Sequence, residues 1–127
     1  MKNTKSQLGE TELEVMNHVW EMKRATVSDV LERILKERKV AYTTIMTVMK
    51  NLSEKGFLKI EKEGSAFVYL PVKKEEQVKQ NLLSGLIEKV FKGSPSALLQ
   101  TLVKNEKLTE TEIEELKSII KNLESNK

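Results

Sequence analysis

The chain has 127 residues, enough for one domain or for a small domain with an appendage. It is 39% hydrophobic and 32% charged, the composition of a folded protein, and has no cysteine, which excludes disulfides, thiol catalysis and cysteine metal sites. The 22 basic side chains outnumber the 19 acidic ones by only three, so a nucleic-acid partner is permitted only if the positive charge is local to one surface.

Residues 1–72 carry 12 basic and 10 acidic side chains, and residues 73–127 carry 10 and 9, so neither half is strongly basic. The uninterrupted apolar runs are short, and no signal peptide or spanning segment is visible. The expected location is therefore the cytoplasm, without membrane insertion.

The polar stretch Met1 to Gln7 is expected to fray. From Leu8 a helical pattern begins. Leu13, Met16 and Trp20 form one line beside Val15 and Val19, and glutamates at 10, 12 and 14 suit the positive end of a helix. This helix should end near Lys23. Val27, Val30, Leu31, Ile34 and Leu35 then recur at helical spacing, and Thr26 with Asp29 makes a capping-box pair that predicts a start near Thr26. A third helix is expected from about Thr43, with Ile45, Val48, Met49 and Leu52 on one stripe and Gly56 as its stop.

Beyond Gly56 the period changes to two. Leu58 and Ile60 alternate with charged residues, and after Gly64 Phe67 and Tyr69 alternate with Val68 and Leu70. Two short strands closed by Pro71 predict a β-hairpin. The remainder is helical again. Val78, Leu82, Leu83, Leu86, Ile87, Val90 and Phe91 give a broad apolar face ending at Gly93. Ser94-Pro95 opens a helix carrying Leu98, Leu99, Leu102 and Val103, and the pair Thr109 and Glu112 caps one carrying Ile113, Leu116, Ile120 and Leu123.

The third helix has an unusual outer face. Thr43, Thr44 and Thr47 stand where long charged side chains are customary, with Lys50 and Asn51 following. Three helices and a hairpin form the element order of a winged helix-turn-helix, whose third helix lies in the major groove of DNA. Small hydroxyl side chains would allow close approach, hydrogen bonding to base edges and packing on a thymine methyl. Lys50 would reach a phosphate, Asn51 a base edge or a phosphate, and Lys62 and Ser65 at the hairpin tip the backbone. Two other readings compete. Threonines at a helix start can serve as caps, and the winged fold also makes protein–protein contacts.

"LGETELEVMNHVW", "ATVSDV", "YTTIMTVMKNLSEKGFL" and "FVYLPV" together resemble the penicillinase-repressor family, the BlaI/MecI/CopY group of bacterial repressors. The combination of ELEVM, a Trp four residues later, the T-T-x-x-T helix and the KG turn carries the resemblance, which returns in "KVFKG" and "LTETEIEELKSII". It implies a homodimeric repressor with an N-terminal winged-helix domain and a C-terminal helical dimerisation domain, bound to palindromic operators built around TACA/TGTA. Base contacts would map to Thr43, Thr44 and Thr47. Some members carry Pro-Lys where this chain has Tyr42-Thr43, so the operator itself does not carry over.

The family has two release mechanisms. Copper-responsive members use a C-terminal cysteine motif, and this sequence has no cysteine. β-Lactam-responsive members are cleaved at an Asn-Phe bond after a membrane sensor protease is activated. The corresponding residues here are Thr101 and Leu102, and Leu102 also reads as simple core.

Domain boundaries follow at 1–72 for a winged-helix DNA-binding domain and 73–127 for a helical dimerisation domain. The fold class is mostly α with one small β-hairpin. Three short amphipathic helices make a poor independent core, so Leu82, Leu83, Leu86, Val90, Leu98, Leu102, Ile113, Leu116 and Ile120 are expected at a two-fold interface. Folding back on the winged domain in a monomer is the alternative. A dimer would set two recognition helices about one DNA turn apart, ~34 Å.

His18 is the only histidine, and without cysteine or a second histidine it makes no metal site or catalytic set. No enzyme activity and no cofactor are expected. The expected function is sequence-specific transcriptional repression with operator DNA and a second copy as partners. The alternatives are a winged-helix protein-interaction module and a ligand-gated regulator.

Overall fold

The computed structural model describes residues 8–105 and 108–125. The polar stretch 1–7 lies outside them. The elements run α1 (Glu10–Met22), α2 (Val27–Leu35), α3 (Tyr42–Glu54), β1 (Leu58–Glu63), β2 (Ala66–Pro71), α4 (Glu75–Val90), α5 (Pro95–Asn105) and α6 (Glu110–Ser125). This is the expected mostly helical chain with one hairpin.

Local chemistry fixes the helix ends. Thr26 Oγ1 accepts from the Asp29 N–H at 3.1 Å, and Asp29 Oδ2 accepts from the Thr26 N–H at 3.0 Å, the reciprocal capping expected from the sequence. Thr109 and Glu112 repeat the arrangement before α6. Ser94 Oγ accepts from the Ala97 N–H at 3.1 Å, with Pro95 as the first residue of α5. At the end of α3, Gly56 adopts φ +87°, where a side chain would be strained. The Phe57 N–H then reaches the Leu52 carbonyl at 3.0 Å and the Gly56 N–H reaches Ser53 at 3.2 Å, which closes the helix.

The chain forms two compact units, 1–80 and 81–127. The first therefore continues past Val72, the boundary expected from sequence, because Val78 of α4 is buried in its core. That core joins Val15, Met16 and Val19 of α1, Val30 and Ile34 of α2, and Ile45, Met49 and Leu52 of α3 with Leu58 and Tyr69 of the hairpin. Val48 is only partly buried, and Leu35 is 50% exposed instead of joining the apolar face of α2.

The hairpin pairs β1 with β2 antiparallel, from Leu58 opposite Pro71 to Glu63 opposite Ala66. Gly64 and Ser65 form its two-residue turn, with Gly64 at φ +62°. Ala25, between α1 and α2, bridges Tyr69 through N–H···O bonds of 3.0 and 2.8 Å. After the hairpin, the Trp20 indole N–H donates to the Lys73 carbonyl at 3.0 Å. The wing is thus tied to the helical part by backbone bonds near its base and by the Arg24–Glu63 ion pair near its tip.

Ion pairs add cross-links between elements. Lys55 meets Glu12 at 2.8 Å, and Arg38 Nη2 meets Glu14 Oε1 at 2.7 Å. The hydrogen bond from Arg38 holds the Glu14 carboxyl below its ordinary range; desolvation opposes it and the Arg38 charge assists it. A carboxylate depressed on folding stabilises fully above its unfolded pKa, and loses that contribution as pH falls through the folded value. Glu14→Gln should therefore lower the thermal midpoint at neutral pH, and the gap to wild type should close in acid, below the ordinary carboxylate value of about 4.3. Melting curves across pH check this.

Candidate nucleic-acid interface

The packing of α3 leaves one face for other work. Ile45, Met49 and Leu52 are fully buried, whereas Thr43, Thr44, Met46, Thr47, Lys50 and Asn51 are exposed. The helix begins one residue before the expected Thr43. Its N-cap is Ala41, which makes no side-chain capping bond. Thr43 and Thr44 therefore lie inside the helix, and no threonine of α3 caps it. This removes the capping account of the threonine run and leaves three exposed hydroxyls on an otherwise well-anchored helix.

Charge is arranged around that face. Lys50 and Lys62 are exposed and form no ion pair among the described residues. The acidic residues of the wing are matched: Glu63 by Arg24, and Glu61 by Lys59 at 3.5 Å. The Lys62 ammonium lies 5.9 Å from the centroid of the Phe67 ring on the opposite strand. Ser65 is exposed at the turn. Within the first unit, each residue predicted to meet DNA is thus solvent-accessible, on either α3 or the wing tip.

A family model described as "Penicillinase repressor" matches residues 8–122. The chain belongs to the penicillinase-repressor family. The methicillin resistance regulatory protein MecI of Mammaliicoccus sciuri is 33% identical over 120 residues, covering 94% of this chain and 98% of that protein. The penicillinase repressor of Bacillus licheniformis is 27% identical over 121 residues, covering 95% and 94% respectively. The solution structure of the DNA-binding domain of the repressor BlaI matches with TM-score 0.51 and 35% identity, over 59% of this chain and 90% of that one. The first unit is accordingly a winged helix, and the protein is a DNA-binding transcriptional repressor.

Several exposed residues of the repressor carried no signal in its sequence pattern. Tyr42, Met46 and Phe67 are large, apolar and open to solvent. Arg24 was equally unmarked, because its partner Glu63 is distant in sequence. Met46 is exposed on the flank of the threonine face, where its helical position puts it; nothing local distinguishes Phe67 from a core strand residue.

In the C-terminal helices, Leu82, Leu83, Leu86, Val90 and Ile120 are exposed, and Leu98, Leu102, Ile113 and Leu116 are partly covered. Packing among α4, α5 and α6 is sparse. Thr101 is exposed and Leu102 partly buried, both inside α5. His18 is partly buried on α1, and among the described residues no group of three His, Asp or Glu side chains could hold a metal ion. No described helix is long and apolar enough to cross a membrane.

Proposed function

We propose that the protein represses transcription as a homodimer on a palindromic operator, with α3 in the major groove. The observation that carries this reading is the exposed, non-capping threonine face on a helix whose other side is fully buried. Thr43, Thr44 and Thr47 read base edges, Lys50 and Asn51 hold the strand beside them, and Lys62 and Ser65 hold the backbone at the wing. Dimerisation is supported by the second unit, where leucines along α4 stay exposed and no described side chain of α5 or α6 is buried. An apolar stripe of this kind marks a contact surface, and two-fold symmetry matches a palindrome. A repressor of this kind would act in the cytoplasm, where its operator DNA lies.

The test is fluorescence anisotropy with a TACA/TGTA palindrome and a scrambled duplex across a salt series. Preference for the palindrome and a steep loss with salt are expected. Equal, salt-insensitive behaviour would favour a protein-interaction module. Thr47→Ala should lose about 1–3 kcal/mol on the palindrome and discriminate less, while Lys50→Ala should weaken both duplexes and lower the salt slope by about one.

Release by a membrane sensor protease at Thr101–Leu102 would require α5 to open, since both residues are helical. An intact 14.6 kDa chain after exposure to an activated cognate sensor would eliminate that route.

A further inference from the structure

The chain has no cysteine, so its oxidisable sulfur lies in the thioethers of its five methionines. Met1 lies outside the described residues. Met16 of α1 and Met49 of α3 are fully buried, and Met22 is partly buried against the core of the first unit. Among the described methionines only Met46 is exposed, at 43%. It precedes Met49 by three residues on the same helix, so one turn of α3 carries one sealed sulfur and one open one. Met46 also lines an open hollow of about 460 Å³ between α3 and the wing, with Thr26, Ser28 and Ser65 among the other walls. A small oxidant reaches this sulfur from solvent without any unfolding.

The place of Met46 on α3 gives its oxidation a consequence. Met46 follows Thr43 by three residues and precedes Lys50 by four, so the three lie along one side of the helix, and Thr47 comes next in sequence. A duplex that meets Thr43, Thr47 and Lys50 therefore covers Met46 as well. The thioether is a weak acceptor and packs as an apolar group. A sulfoxide at the same atom is polar, with negative charge concentrated on its oxygen. In the free protein, water solvates that oxygen. Against DNA it is pressed toward phosphate oxygens, which accept hydrogen bonds and donate none. Covering an acceptor without a donor weakens binding. The fold bears none of this cost, because Met46 stands outside the core.

We propose that Met46 is an oxidation site through which hydrogen peroxide lowers the affinity of the repressor for its operator. The inference rests on α3 being the DNA-reading helix. A lone pair of the thioether sulfur attacks one peroxide oxygen. The S–O bond forms as the O–O bond breaks, and the second oxygen leaves with both protons as water. Sulfur gives up two electrons and the peroxide accepts them. Methionine sulfoxide reductases reverse the change, so the site can be reset without new protein.

The test treats the full chain with hydrogen peroxide, locates sulfoxide by peptide mass spectrometry, and measures anisotropy on the palindromic and scrambled duplexes before and after. Met46 should oxidise well ahead of Met16 and Met49. The treated protein should bind the palindrome about tenfold more weakly, the loss expected for one covered acceptor left without a donor. Its melting curve should match that of untreated protein, and a methionine sulfoxide reductase should restore the affinity. Met46→Leu, apolar but without sulfur, should bind after peroxide as it does before. Met46→Gln, polar and of similar length, should bind weakly with no oxidant present. Oxidised Met46 with unchanged binding, an equal loss in Met46→Leu, wild-type affinity in Met46→Gln, or oxidation no faster at Met46 than at Met49 would each overturn the proposal. So would a loss of binding that tracks a lowered melting point, since oxidation would then act through the fold. Untreated wild type that bound neither duplex would instead remove the reading of α3 on which the proposal rests.

Discussion

Leu86→Glu is expected to leave a folded single chain of 14.6 kDa that no longer holds a full palindrome. Leu82, Leu86 and Val90 repeat every four residues along α4, and all three are exposed in the single chain. A carboxylate placed in the middle of that stripe would be desolvated without a partner at the proposed interface, a cost that the fold of one chain does not bear. The core of the first unit takes only Val78 from α4, so it should survive the change. Two half-sites joined through a dimer gain about 10²–10⁴ in avidity over one. The variant should lose a factor of that order on the palindrome and nothing on a half-site. Sedimentation and anisotropy together check it. An unchanged mass would place the interface elsewhere.

What the sequence made legible is what local chemistry determines. Thr26 with Asp29, Thr109 with Glu112, Ser94-Pro95 and Gly56 each act within a few residues, and each marks a helix end where expected. The start of α3 was displaced by one residue because Ala41 carries no capping side chain. Leu35 has the right spacing for the buried face of α2, but α2 ends there, and the next turn of helix that would have covered it does not exist.

The hairpin shows the same limit more clearly. Leu58, Ile60, Phe67 and Tyr69 share one face by register, so period-two reasoning treats them alike. Leu58 and Tyr69 are buried, while Ile60, directly opposite Tyr69, and Phe67, nearer the tip, are exposed. The difference arises from which of these side chains the helices cover, a tertiary fact with no trace in alternation. The Ala25–Tyr69 bridge and the Arg24–Glu63 pair depend on the same long-range placement. The candidate site divides accordingly. Its hydroxyl and lysine members were legible as residue types on a helix face; its apolar members became visible only once the wing was set beside α3. On α4, periodicity revealed an apolar stripe but not whether the stripe meets its own chain or a second copy.

Ile45→Ala should destabilise the first unit by about 2–5 kcal/mol, the range for truncating a buried large aliphatic side chain. Ile45 is fully buried and stands between the first two threonines and Thr47 in sequence, facing the opposite way. It belongs to one core with Val15 and Met16 of α1 and Val30 of α2, so its removal opens a space inside a core that three helices share. Folding stabilities of small domains are about 5–15 kcal/mol, so this one change consumes a large share. The denaturation midpoint should fall, with the slope against denaturant unchanged. DNA binding by the folded fraction should keep its sequence preference, because no base-facing atom is altered. Thr47→Ala should show the reverse pattern: a melt close to wild type and a loss of preference. Measuring both variants in both assays separates the anchoring side of α3 from its reading side. A Thr47→Ala protein that lost stability while keeping its preference would show that the exposed face serves the fold and not the operator.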